Sequence, residues 1–579
     1  MTYLSKFARF LIIPNAKLSF MLSKSDIFGF NPSKEYSKSV AYFSMEFAID
    51  QSLKIYSGGL GFLAGSHMRS AYELKQNLVG IGMLWKYGYY DQVRSLNGTM
   101  KPDYVQKYYS FLTDTGIVFP VEVHSATVYV KAYLLKPEVF ESAPIFLLST
   151  DIEQNDSVSR TITNRLYDAN ESTRIAQSIV LGIGGAKLMD ILQMKTEIYH
   201  MNEGHALPLC FYLYSKYKSM SDVRSRVVFT THTPEEAGNE QHDFDLLSKM
   251  SFFNDIPDDE IREILGLEGH RLNYTLSALK FAKIANGVSK MHGEVSREMW
   301  SGHAGICEIT SITNSQNKKY WKDDKLEKAL EENDDKAILA RKKEMKRELF
   351  KIVADQAGKR FDENILTLVW ARRYAGYKRA DLITSDIERF KKLLEHKDYP
   401  IQIIWAGKPY PEDYSAIDTF NNLFWKTLPH ANIAVLTGYE LGLSAALKRG
   451  SDVWLNNPRL YREASGTSGM TAAMNGSVNF SIPDGWIPEF GKHGVNSFLI
   501  EPADRKLPQH EQDMIECERL LDILEKEILP VYYNKPKQWA QIIKNGMKDV
   551  SPEFESGRMA KEYYAKLFNV EIPALVSSM

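Results

Sequence analysis

Lys378 and Arg379 stand side by side after the apolar run Ile365-Leu-Thr-Leu-Val-Trp-Ala371. Two adjacent cations just past a strand end suit a dianionic phosphate. The arginine fork gives paired hydrogen bonds and the lysine a point charge. A second anion-binding signature is the turn Tyr56-Ser-Gly-Gly-Leu-Gly61. There Gly58 and Gly59 let backbone N–H groups approach a phosphate where a helix begins. A third lies in Glu463-Ala-Ser-Gly-Thr-Ser-Gly469, where Gly466 and Thr467 offer backbone and hydroxyl donors. His232 closes a strand-like run, Val227-Val-Phe-Thr-Thr-His232. Together these residues predict a phosphate-handling cleft.

The elements that must position them are short apolar runs ending in polar or glycine-rich residues. Besides the two above, they include Ile401-Gln-Ile-Ile-Trp-Ala-Gly407 and Asp452-Val-Trp-Leu-Asn456. Helix-length segments separate them. Such runs read as buried parallel strands of an α/β fold. In open α/β sheets ligands bind beyond the carboxyl ends of the strands, so the candidate residues are expected to share one cleft. The charged stretch from Lys318 to Lys351 reads as a solvated amphipathic helix near a domain junction.

The 579 residues are 44% hydrophobic and 25% charged, a globular balance long enough for two or more domains. A net charge of −2 gives no electrostatic reason for nucleic acid or an anionic membrane as partner. Cys210, Cys307 and Cys517 lie far apart with no metal-ligand spacing, which fits a reduced cytoplasmic setting and no metal. The segment 7–14 is too short to span a bilayer and reads as a packing arm. A homodimer is left open.

Longer motifs occur in a fixed order. They are Tyr42-Phe-Ser-Met-Glu-Phe47, Ser57-Gly-Gly-Leu-Gly61, Tyr87-Gly-Tyr-Tyr-Asp-Gln92, Asn202-Glu-Gly-His205 and Thr230-Thr-His-Thr-Pro234. Asn286-Gly-Val-Ser289, Ala371-Arg-Arg-Tyr-Ala-Gly-Tyr-Lys-Arg379, Ala406-Gly-Lys408, Asp452-Val-Trp-Leu-Asn-Asn-Pro458 and Asp484-Gly-Trp486 follow. This set resembles the glycogen (α-glucan) phosphorylase family, short bacterial type, from about residue 40 to 490. The resemblance implies a GT-B architecture: two Rossmann-like domains, 1–313 and 314–530, with the active site between them and a helical segment at 531–579. It implies a hexosyltransferase that moves glucose between an α-1,4-glucan end and phosphate, giving glucose 1-phosphate with retention. By the same resemblance Glu463, His232 and Asn314 would meet the sugar, and Lys378 and Arg379 the cofactor and substrate phosphates. Glu46 reads as a supporting carboxylate rather than a catalytic base.

One position departs. The family's cofactor loop reads E-A-S-G-T-S-G-M-K-A-A-x-N-G, and its lysine holds pyridoxal phosphate as a Schiff base. Here Thr471 stands in that place. A threonine forms no imine, so the expectation is no covalent pyridoxal phosphate. What remains is unanchored pyridoxal phosphate or the diphosphate of a nucleotide sugar. Three further motifs differ: Ile312-Thr-Asn-Ser-Gln-Asn317 for I-T-N-G-V-H, Leu63-Ala-Gly-Ser-His67 for L-A-G-D-H, and Ser44-Met-Glu-Phe-Ala48 for S-M-E-F-G. These changes keep two alternatives in view: a nucleotide-sugar-dependent retaining GT-B transferase, and a non-catalytic glucan-binding relative.

Overall fold

The computed structural model describes residues 22–571; the expected packing arm at 7–14 lies outside them. Two sheets organise the chain. The first contains β1 (Val40–Phe43), β2 (Leu78–Met83), β3 (Thr113–Val123), β4 (Ala126–Leu135), β5 (Ile145–Ser149), β6 (Ile198–Asn202), β7 (Val227–Thr230), β8 (Ile284–Gly287) and β9 (Glu308–Ser311). Their spatial order is β9-β8-β7-β6-β1-β2-β5-β4-β3. Strands from β9 across to β5 run parallel, and β4 and β3 add an antiparallel edge. The second sheet is parallel throughout: β10 (Leu366–Ala371), β11 (Ile401–Ala406), β12 (Ile433–Leu436), β13 (Val453–Asn456), β14 (Val478–Ser481) and β15 (Ser497–Leu499), in the order β12-β11-β10-β13-β14-β15. This is the GT-B arrangement that the resemblance implies.

The strand sequences explain the arrangement. β1, β2, β5 to β8 and β10 to β14 are buried along their whole length, as parallel strands covered on both faces must be. β4 instead alternates buried and part-buried residues through its middle, the pattern of an antiparallel strand with one wetter face. In each sheet the chain reverses its direction of growth, between β1 and β6 in the first and between β10 and β13 in the second. Those switch points open crevices at the strands' carboxyl ends.

Seven helices matter for the site: α1 (Gly59–Glu73), α2 (Asp335–Ala357), α3 (Leu441–Gly450), α4 (Ser468–Met474), α5 (Gln509–Ile523), α6 (Pro536–Glu553) and α7 (Ser556–Tyr563). α2 packs on α3, and α6 packs on α4, beside the second sheet. α7 returns to the first, where it lies on α1. There Ser556 Oγ meets Ser70 Oγ at 2.6 Å, and Gln76 Nε2 donates to the Ala560 carbonyl at 3.1 Å.

The charged stretch proves to be more than a solvated helix. Lys342 and Lys346 of α2 are buried. Lys342 Nζ donates to the carbonyls of Arg449 (2.7 Å), Ser451 (2.8 Å) and Asn475 (3.0 Å), tying the ends of α3 and α4 together. Lys346 Nζ meets Asp452 Oδ2 at 2.5 Å and the Ile365 carbonyl at 2.6 Å, at the start of β10 and β13. The long aliphatic stems pass through the apolar face of α2 and deliver the charge to polar groups beneath it. Removing one partner of such a pair leaves a buried charge without compensation. Lys346→Met is therefore expected to destabilise the fold by about 3–5 kcal/mol. Lys346→Met/Asp452→Asn should recover part of that loss, read as melting temperatures of the two variants against wild type.

Candidate active site

The cleft between the two sheets is built almost wholly from residues just past strand carboxyl ends. From the first sheet come Glu46 after β1, Glu203 and His205 after β6, His232 and Thr233 after β7, Val288 after β8 and Asn314 after β9. The second sheet supplies Arg372 and Arg373 after β10, Lys408 after β11, Tyr439 after β12 and the stretch Glu463 to Ser468 after β13. The Gly58-Gly59 turn and the Phe62 ring complete the wall of a cavity of about 350 Å³. A second cavity of about 720 Å³ lies outside it, lined in part by Tyr89, Tyr167, Tyr410, Arg174 and Glu240. The two share Ser57, Tyr167, His205 and Arg373.

Two glycines allow this convergence. Gly407 has φ +146°, and a Cβ there would lie 1.8 Å from the Arg372 carbonyl, so only glycine brings Lys408 beside Arg372. Gly466 has φ +88°, which turns the Glu463 loop back along the cleft.

Charge is distributed unevenly. The Glu463 carboxylate accepts from Lys378 Nζ at 2.7 Å and lies 3.4 Å from Arg372 Nη1. Burial alone would raise its pKa, but Lys378 and Arg372 outweigh burial and hold it below the usual carboxylate range. The loop is fixed by Asp484, whose carboxylate accepts the N–H groups of Arg462 (3.1 Å), Glu463 (3.0 Å) and Gly485 (2.8 Å). Lys408 is committed to Glu440 at 2.9 Å and to the Tyr90 carbonyl at 2.9 Å. Glu46 accepts from Ser57 N (2.6 Å), Gly58 N (3.1 Å) and Tyr167 Oη (2.8 Å). Glu203 accepts from His232 N at 2.8 Å. Arg373, in contrast, faces both cavities and forms no ion pair with a described carboxylate; Tyr377, Tyr89 and Glu463 nearby favour its charge.

The predicted residues divide accordingly. Lys378, Glu463, His232, Asn314, Gly58, Gly59, Gly466 and Thr467 all line the cleft. Burial drives the His232 imidazole down to about 3, helped by His292 and His205, so it is neutral at working pH. Its Nε2 pairs with Asn202 Oδ1 at 2.7 Å. Asn314 Oδ1 is buried without a partner, which leaves it available to a ligand. Gly58 faces the cleft, but its N–H is held by Glu46 rather than free for phosphate.

Arg379 is a correction. It does not line the cleft. Its residue adopts φ +47°, and the guanidinium points into α5. Nη1 meets Asp513 at 2.8 Å and Glu516 at 2.6 Å, while Nε and Nη2 donate to the carbonyls of Asn457 (3.0 Å) and Pro458 (2.9 Å). It braces the backbone leading to Glu463. The cations that share the cleft with Lys378 are Arg372, Arg373 and Lys408, the last committed to Glu440. Thr471 is fully buried in α4, outside the cleft lining, and its hydroxyl donates to the Ser468 carbonyl at 3.1 Å. Sequence reading also passed over Glu203, His205 and Tyr167. Asn202-Glu-Gly-His205 and the aromatic Tyr167 were the available signals.

No protein-family model matches the sequence. Among curated proteins, maltodextrin phosphorylase of Thermococcus litoralis is 33% identical over 95% of this chain and 73% of its own length. Glycogen phosphorylase of Aquifex aeolicus is 31% identical over 92% of this chain and 86% of its own. An uncharacterized protein of Methanocaldococcus jannaschii is 48% identical over 92% of this chain and its own full length. With two largely parallel sheets meeting at one cleft and this likeness along nearly the whole chain, the protein belongs to the glycogen/maltodextrin phosphorylase family.

Proposed function

We propose that the protein transfers glucose, with retention, between the end of an α-1,4-glucan and phosphate, releasing glucose 1-phosphate in the phosphorolytic direction. The observation that carries this reading is Arg373, without a carboxylate partner, beside Arg372 and Lys378, at the junction of the sugar-sized cleft and the larger second cavity. A phosphate held there by three cations meets a glucan end entering past Tyr167 and Tyr410. Phosphate and glucan oxygen then approach the sugar from one side, as retention requires when one replaces the other.

His232, Asn314 and Glu463 grip the sugar from the inner side. Binding phosphate offers Lys378 a dianion in place of the Glu463 carboxylate, and Glu463 turns to a glucose hydroxyl. The carboxylates lining the cleft, Glu46, Glu203 and Glu463, are each already hydrogen-bonded. None stands ready to attack the anomeric carbon, so the cation-like transition state is stabilised by preorganised charge rather than by a protein nucleophile.

Pyridoxal phosphate fits this site at its phosphate end. Arg372 Nε is buried without a hydrogen-bond partner, and Nη1 has only the Glu463 carboxylate 3.4 Å away, an arrangement with room for a further acceptor. Arg372, Lys378, Gly466 and Thr467 would hold that phosphate. The chemistry the cofactor supplies when bound is a second phosphate placed against that of the substrate. Position 471 offers it no tether.

Maltooligosaccharide plus phosphate should yield glucose 1-phosphate, dependent on added pyridoxal phosphate. Melting curves with pyridoxal phosphate, glucose 1-phosphate, ADP-glucose and UDP-glucose decide the donor: stabilisation by a nucleotide sugar alone would replace phosphorolysis with nucleotide-sugar transfer, and no shift with any of them would sink both. Arg373→Met should lower kcat/KM for phosphate about 100-fold, the scale of losing one electrostatic contact to the transition state, with the melting temperature unchanged. Arg379→Met should do the reverse, lowering the melting temperature first, because it leaves Glu516 buried without its partner.

A further inference from the structure

His242 is a buried histidine with a carboxylate at each ring nitrogen. Its side chain is 2% exposed. Nδ1 lies 2.7 Å from Glu171 Oε1, and Nε2 lies 3.0 Å from Glu240 Oε1. A neutral imidazole has one N–H and donates to only one of them, whereas the imidazolium donates to both. The geometry therefore sets this ring as a cation. Burial alone would lower its pKa, but Glu240 and Glu171 outweigh burial and hold it above the ordinary histidine value. Its neighbours come from several elements. Glu171 and Arg174 stand on the helix Glu171–Ile179, and Glu240 precedes the strand Gln241–Asp243 that carries His242. From the paired strand, Arg271 donates to the Gln241 carbonyl. From the helix after it, the Tyr274 ring lies 5.3 Å from the imidazole.

Arg174 completes a row of alternating charge. Its Nε and Nη2 donate to Glu240 Oε1 at 3.0 and 2.7 Å, so with His242 that one oxygen accepts three hydrogen bonds. Oε2 accepts none from the described residues. Burial alone would raise the Glu240 pKa, but His242, His205 and Arg174 outweigh it and keep the carboxylate ionised. The loop is anchored independently of this row, because Tyr274 N donates to the Glu240 carbonyl at 3.0 Å and Thr275 Oγ1 to Asn239 Oδ1 at 2.6 Å. Glu240 and Arg174 line the second cavity with Tyr89, Tyr167 and Tyr410, and His242 stands behind them. A carboxylate oxygen beside a guanidinium suits adjacent sugar hydroxyls, which both donate and accept. The tyrosine rings offer apolar faces to the same chain.

We propose that His242 is a positioning residue for the glucan chain in the second cavity: as an imidazolium it pins Glu240 by one oxygen, which keeps the other oxygen and Arg174 turned to the sugar. Loss of the ring proton leaves a lone pair facing a carboxylate, and one of the two contacts opens. Glu240 has a replacement partner in Arg174, so its contact is the one released. A carboxylate free to turn forms the two-oxygen fork with a guanidinium. That fork withdraws Oε2 and the Arg174 nitrogens from the cavity. Glucan is thus held tightly below the pKa of His242 and weakly above it. The inference rests on the reading of this cavity as the path of the glucan.

A maltooligosaccharide carries no charge, so the pH dependence of its affinity reports groups of the protein. Its dissociation constant is measured by calorimetry on the full chain, without phosphate, from about pH 6 to about pH 9. Affinity should fall about tenfold through one proton step lying above the ordinary histidine value, the scale of one hydrogen bond to a charged group. Glu171→Gln removes a half-exposed carboxylate behind the ring. It should keep tight binding at low pH and move the step down by about one pH unit. His242→Gln should bind about tenfold more weakly at low pH and show no step. A flat wild-type profile, or a step that stays in place in Glu171→Gln, would overturn the role of His242 while leaving glucan binding intact. The second result would assign the step to another group, such as His205 in the cavity wall. No binding at any pH by a chain that melts normally would overturn the reading of the cavity and the proposal with it.

Discussion

A charge removed from water must find a partner, and the cleft is organised by that demand. Glu463 answers Lys378, Glu440 answers Lys408, and Glu46 collects the amides of the glycine-rich turn. Each pairing fixes a loop as well as a charge: the Glu463 stretch, the segment after β11, and the entry into α1. Once these pairs are made, Arg373 is left over at the mouth. On the proposed reading the cleft is therefore preorganised for an anion, with the cost of ordering its walls met during folding rather than during binding. The same demand explains Arg379. It carries four polar contacts in the protein interior and is kept there by Asp513 and Glu516.

Much of the framework was legible in the chain. Apolar runs such as 401–406 and 453–456 announce buried parallel strands because almost every residue within them is apolar on both faces. The residues that follow them gather in one cleft for a topological reason: parallel strands present all their carboxyl ends on one side. What could not be read was direction within a loop. Arg372, Arg373, Lys378 and Arg379 fall in one short motif, and spacing alone does not tell which guanidinium enters the cleft. A left-handed residue at 379 decides it, and backbone sign is not written in the identity of an arginine. Lysines were misread for a related reason. In α2 a charged residue looks solvated, yet four methylenes let Lys342 and Lys346 pass their charge to the far side of an apolar face. Lys448 shows the same ambiguity with the opposite outcome, since its stem leads to aromatic rings and no acceptor.

The loop after β13 also shows how a buried threonine is accommodated. α4 keeps its shape with Thr471 inside it because the hydroxyl satisfies itself on Ser468 and asks nothing of its surroundings. The cleft-lining cations and the Glu463 stretch are carried by other strand ends, chiefly those of β10 and β13.

The return of α7 to α1 bears on how the molecule is made. Ser70 and Ser556 are 486 residues apart in the chain yet share a hydrogen bond. His67 on the same face of α1 is packed edge-on against Tyr563. Synthesis proceeds from the amino end, at roughly 5–20 residues per second. The first sheet can therefore assemble early, but this face of α1 stays bare for tens of seconds at those rates, until the far end of the chain emerges from the ribosome. Completion of the first-made half waits on a helix made 486 residues later, so a chain interrupted before α7 would leave Ser70 and His67 uncovered rather than yield a finished half-molecule.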